Sequence, residues 1–126
     1  MRIAYKVCWK NASGVLRSTS RAGLIYELDK VVEAPTYLLR EGYGVLAFDT
    51  LKHAAEFCAN IYSYQILLVN RIDPMDLPPH CSSVNHIPSN FSDFITSWDV
   101  ATRINVWPFG TLMSRAVEVL EVIPWR

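Results

Sequence analysis

The chain is short of several things. Glutamine occurs once, at Gln65, in 126 residues. Cysteine occurs three times, as Cys8, Cys58 and Cys81, an odd count at wide spacing. This excludes the dense, even-numbered pattern of a disulfide-stapled secreted domain and predicts buried thiols in a reducing compartment. A single Cys8–Cys58 bridge stays open if their strand and helix face each other. No sign of charge dominates, because 12 basic and 12 acidic residues cancel. A general nucleic-acid coat protein needs many phosphate contacts and therefore a basic excess, so the balance counts against one. The same balance removes the repulsion that holds copies apart and favours self-association. No apolar run is long enough to span a bilayer. Lys6 and Lys10 interrupt the opening residues, where a signal peptide would be apolar. A soluble, cytoplasmic protein is expected. A P-loop, a Rossmann glycine pattern and a Gly-x-Ser-x-Gly elbow are all missing, and the common nucleotide-binding and hydrolase signatures go with them.

What is present suffices for one domain over 1–126, since 51% of the residues are apolar and can build a core without staples. Ile3 to Trp9 alternates, with Ile3, Tyr5, Val7 and Trp9 on one face and Ala4, Lys6 and Cys8 on the other. That period of two predicts a half-buried strand. Asn11-Ala-Ser-Gly14 is a hairpin turn leading to a return strand over 15–19, and Leu24–Leu28 is a third strand. Residues 29–43 read as a connection, extended at Ala34 by the proline that follows. Gly44–Phe48 is a short strand, and Asp49 or Thr50 caps the next helix. That helix runs over about 51–60, with Leu51, Ala54, Ala55 and Cys58 as its buried stripe and Lys52, His53 and Glu56 outward. Gln65–Val69 is a buried strand. From Ile72 to Asn90 four prolines break the pattern and predict a long loop. Phe91–Trp98 reads as a short helix, Trp107-Pro-Phe-Gly-Thr111 as a turn, and 112–123 as one long or two short strands. The sum predicts an α+β domain with a mainly antiparallel sheet, one principal helix at about 51–60 and a proline-rich loop at about 72–90.

The stretch from Gly42 to Cys58 resembles a motif of the ADP-ribosyltransferase fold, as seen in poly(ADP-ribose) polymerases. Gly42 and Gly44 match the family's glycines, Asp49 its acidic cap, and Phe57 the aromatic that stacks on nicotinamide. The resemblance implies an NAD site built from Gly44, Asp49 and Phe57, with Glu118 as the glutamate of a late strand. The chain departs from the family where its catalytic tyrosine would fall, at Leu46, and in lacking the upstream His-Gly-Thr motif. The opening strand, the Gly-Tyr-Gly segment and Trp107-Pro-x-Gly-Thr111 also resemble uncharacterised small proteins of archaeal viruses and phages. That likeness implies a provenance and no activity.

Other constellations are sparser. His80, Cys81 and His86 are ligand types suited to zinc, in a spacing that matches no finger. No cofactor is expected. Trp98, Trp107, Phe109 and Trp125 gather in the last third of the chain, and an exposed aromatic group marks an interface. The expectation that follows is a non-catalytic interaction module, of the viral accessory kind that the likeness implies, that contacts a protein partner or a second copy as a homodimer through these four residues. The alternatives are an ADP-ribosyltransferase relative that binds NAD, and a small nucleic-acid binder presenting Arg2, Arg17, Arg21, Arg103 and Arg115 on one face.

Overall fold

The computed structural model describes residues 1–18, 24–40, 42–58, 63–77 and 107–124. Seven strands and two helices follow in the order β1 (Ile3–Lys10), β2 (Leu16–Ser18), β3 (Ile25–Tyr26), β4 (Val31–Glu33), α1 (Thr36–Arg40), β5 (Val45–Phe48), α2 (Leu51–Cys58), β6 (Tyr64–Met75) and β7 (Thr111–Ile123). The expected α+β class is overturned. Strand accounts for 53% of the described residues and helix for 15%, and four antiparallel strands close on themselves as a barrel. β1 pairs with β6 from Ile3↔Asn70 to Trp9↔Tyr64, and β6 pairs with β7 from Ile66↔Ile123 to Met75↔Met113. β7 pairs with β5, and β5 returns to β1 through Tyr5↔Phe48. The hairpin strands β2 and β3 extend β1's free length, while β4 lies along β7.

A ring of four strands encloses little space, and its filling is correspondingly small. Ala4, Cys8, Val45, Ala47, Val69, Val117 and Val119 form one buried cluster with Leu67, Tyr26 and Ala34. A second cluster, Val7, Phe48, Ala54, Cys58 and Ile66, joins β1, β5 and β6 to α2. A third gathers Leu38 of α1 with Tyr43, Leu46 and Met113. Lys6 shares the face of Ala4 and Cys8 and is only 4% exposed. Its ammonium donates to the Leu46 carbonyl at 2.6 Å and lies 5.8 Å from the centre of the Tyr26 ring. Burial pulls the Lys6 pKa down to about 8, and burial pushes the Cys8 thiol up to about 12. The Tyr26 hydroxyl, also raised by burial, meets no hydrogen-bond partner among the described residues. Cys8 and Cys58 are both buried thiols, not a disulfide.

Several local expectations need correction. The connection 29–43 contains β4 and α1. Pro35 permits α1 because its carbonyl accepts from Leu38 and Leu39 while its missing N–H falls where a helix start has no partner for one. Gly42, at φ 85°, then stops that helix. The expected stripe of α2 holds for Ala54 and Cys58, but Ala55 is only half-buried and Leu51 is 37% exposed. Thr50 is the cap: its hydroxyl accepts from the His53 amide at 3.1 Å. Residues 59 and 60 of the expected helix lie outside the described residues. The expected loop at 72–90 does not begin at Ile72, because β6 continues to Met75 with Pro74 opposite Ser114. Past Asn70 no strand among the described residues pairs with the other edge of β6, so the ladder on that side does not call on the amide that proline lacks. Residues 78–90 and the helix expected at 91–98 lie outside the described residues. The segment 112–123 is one long strand, its register shifting opposite Leu68/Val69.

Candidate functional site

The best-built surface feature lies where β5 hands over to α2. The ladder between β5 and β7 ends at Phe48↔Thr111, and the Asp49 amide adds one more bond to the Gly110 carbonyl at 2.9 Å. Pro108 to Thr111 form a tight turn closed by the Thr111 amide on the Pro108 carbonyl at 3.1 Å, with the Thr111 hydroxyl donating to the same oxygen. Gly110 has φ 80°, the value a type II turn demands at its third residue. A Cβ at Gly110 would stand 2.3 Å from both the Asp49 carboxylate and His53 Nδ1. Glycine is therefore required twice over, for its backbone angle and for the close approach of α2.

Asp49 and His53 are four residues apart across the start of α2, and His53 Nδ1 lies 2.6 Å from Asp49 Oδ1. In the neutral ring this fixes Nδ1–H as the donor and leaves Nε2 as an acceptor. The His53 ring packs at 5.5 Å, tilted by 53°, against Phe109. Phe109, at the second position of the turn, is 85% exposed. An oriented imidazole is half of a general-base device, but among the described residues no hydroxyl or thiol hydrogen-bonds to it. What the corner presents is an aromatic ring on a braced turn, backed by an imidazole–carboxylate pair.

The four aromatic residues expected to form an interaction surface separate in this light. Phe109 is exposed. Trp107 is half-buried and packs against the Leu38, Tyr43, Leu46 and Met113 cluster. Trp98 and Trp125 lie outside the described residues. The residues of the NAD reading occupy separate surroundings. Gly44 is packed so closely that a Cβ would meet the Ser114 carbonyl at 2.3 Å and the Met75 sulfur at 2.8 Å. Phe57 stacks between Phe48 at 5.2 Å and Tyr64 at 6.1 Å. Asp49 is engaged with His53. Glu118 accepts from the Asn70 side chain at 3.5 Å and sits seven residues along β7 from the Thr111 end that Asp49 abuts, roughly 20 Å at strand rise. No three histidine, cysteine or carboxylate side chains gather for a metal among the described residues. His80, Cys81 and His86 lie outside them.

Helical periodicity marks His53 only as an outward helix residue. The signal for it was available: an acid and a histidine spaced four apart at a helix start can pair. The requirement for Gly110 opposite them had no local signature. Of the arginines expected on a nucleic-acid face, Arg2 and Arg115 border two adjoining depressions, Arg17 lies on β2, and Arg21 and Arg103 are outside the described residues. Among the described residues no helix is long and apolar enough to cross a membrane. No protein-family model matches the chain, and neither a curated protein nor a solved structure matches it at significance.

Proposed function

We propose that the chain is a non-catalytic binding module that recognises protein through the Phe109 turn, with a second copy of itself as the partner. One observation carries this reading. Phe109 is 85% exposed although the turn beneath it is fixed by two hydrogen bonds, a glycine at positive φ and the His53 ring. Aromatic anchors of this kind dominate interface energetics because they bring large contact area with little rotamer entropy to lose. The balanced charge of 12 basic and 12 acidic residues places no net repulsion between copies. Light scattering across a concentration series tests the reading. The wild type is expected to form a dimer, and Phe109→Ala to shift it toward monomer with an unchanged melting temperature. A wild type that stays monomeric at every concentration would end the self-association reading.

A further inference from the structure

The region around Asp73 is cationic in a way the neutral chain does not foreshadow. Asp73 lies between the register pairs Ile72↔Ala116 and Pro74↔Ser114, which sets it across from Arg115. It lines two adjoining depressions at once. One, of about 580 Å³, is bordered by Thr36 and Arg40 of α1, by Pro74 and by Arg115. The other, of about 500 Å³, is bordered by Arg2, Asn70 and Arg71. Four arginines therefore line a trough whose walls, among the described residues, carry a single carboxylate. None of the four forms an ion pair among the described residues.

The placement is fixed by backbone structure. The Arg2 amide donates to the Asn70 side chain at 3.0 Å, and the Arg71 amide donates to the Arg2 carbonyl at 2.8 Å. The Arg115 carbonyl accepts from Ala34 at 2.9 Å, tying β7 to the segment that leads into α1. Arg71 donates through Nη2 to the Met113 carbonyl at 2.9 Å, but its buried Nε finds no acceptor among the described residues. Desolvation and then the neighbouring Arg2 charge press the Arg71 pKa downward. A guanidinium does not escape such a field by losing its proton at physiological pH, so the field is relieved by an anion.

We infer that this trough binds successive phosphate groups, one in each depression, with Arg2 and Arg71 serving one and Arg40 and Arg115 the other. Arginine suits the task because its planar fork meets two phosphate oxygens at once. Among the described residues no aromatic side chain borders either depression, so what those residues offer is contacts to phosphate and not a platform for a nucleobase. Such groups come either from a small polyphosphate or from the backbone of a single nucleic-acid strand. The surface is distinct from the Phe109 turn and does not depend on it.

Isothermal titration at low salt with inorganic pyrophosphate, and separately with a twelve-residue oligothymidylate, tests the assignment. Saturable binding of either probe is expected, with the probe that binds identifying the source. The double variant Arg2→Gln/Arg115→Gln should weaken that binding by about tenfold or more, since two charge-assisted contacts are lost. Arg17→Gln, on β2 away from the trough, should leave it unchanged. Asp73→Asn removes a repelling carboxylate and should tighten binding about threefold. Both arginines are exposed, so melting curves of the double variant should overlay the wild type. Failure of both probes to bind overturns the assignment. So does an equal loss in the Arg17 variant, or weaker binding by Asp73→Asn.

Discussion

The interior of the ring and its rim treat positive charge in opposite ways. Inside, Lys6 is held against a carbonyl and a tyrosine face, and its pKa falls to about 8. At the rim, Arg2, Arg40, Arg71 and Arg115 border one trough. Lysine can yield a proton when desolvated and arginine cannot, so the first solution is complete within the fold and the second is not. The difference teaches where to look for function in this chain. Its interior holds its one buried ammonium with its own groups, whereas the trough and the Phe109 turn present charged and aromatic side chains at the surface, where the proposed partners would bind.

If the interior is as tightly filled as its alanines and valines imply, Ala47→Leu should be the most damaging change. Added methylenes have nowhere to go in a four-stranded ring, and a loss of about 3 kcal/mol is expected by urea denaturation. A near-neutral result would mean the ring is looser than described. Next comes Trp107→Ala, which removes a half-buried ring from the Leu38–Met113 cluster and should cost about 2 kcal/mol. Phe109→Ala, two residues away, should cost under about 0.5 kcal/mol. Equal losses from the two would erase the distinction between core and rim.

The buried lysine makes a finer test. Its folded pKa, about 8, lies below the unfolded value of 10.5, so the unfolded chain binds the extra proton. The stability penalty is therefore fully present below pH 8 and is relieved as pH rises toward 10.5. Cys8 acts in the opposite sense, because its thiol ionises near 9 when unfolded and at about 12 when folded, and this lowers stability above pH 9. The raised Tyr26 pKa adds to that fall above 10. Stability should thus climb by about 1 kcal/mol from pH 7 to a maximum near pH 9, then decline. Lys6→Met should abolish the climb and keep the decline, as followed by melting at each pH. A profile in Lys6→Met that still rises would place the responsible group elsewhere. The smallest effect belongs to the rim, where Arg40→Gln should alter stability by less than about 0.5 kcal/mol.

Local structure was legible where period and punctuation agree. The alternation of Ile3–Trp9, the Asn11–Gly14 turn, the helix capped by Asp49 or Thr50, the apolar run before Val69 and the Pro-Phe-Gly-Thr turn all correspond to elements. Ring closure was not legible, because Tyr5↔Phe48 joins residues far apart in sequence through backbone groups that carry no residue signature. Pro74 concealed the extension of β6, since proline argues against a strand unless one edge is known to be unpaired. Alternation puts Lys6 on one face with Ala4 and Cys8 but does not show that this face is buried, as the structure has it. The Asp49–His53 pair was within reach of a spacing argument, while the arginine trough needed the register of β6 and β7 to bring distant residues together.

β7 carries a consequence for how the molecule comes into being. It bonds to β4, β5 and β6, and it is the last strand in chain order among the described elements. Until residues 111–123 leave the ribosome, β6 and β5 each wait with an unpaired edge of main-chain donors and acceptors, open to wrong pairing with another chain. Contacts spanning such separations are slow to form, so refolding should take milliseconds to seconds despite the small size of the chain.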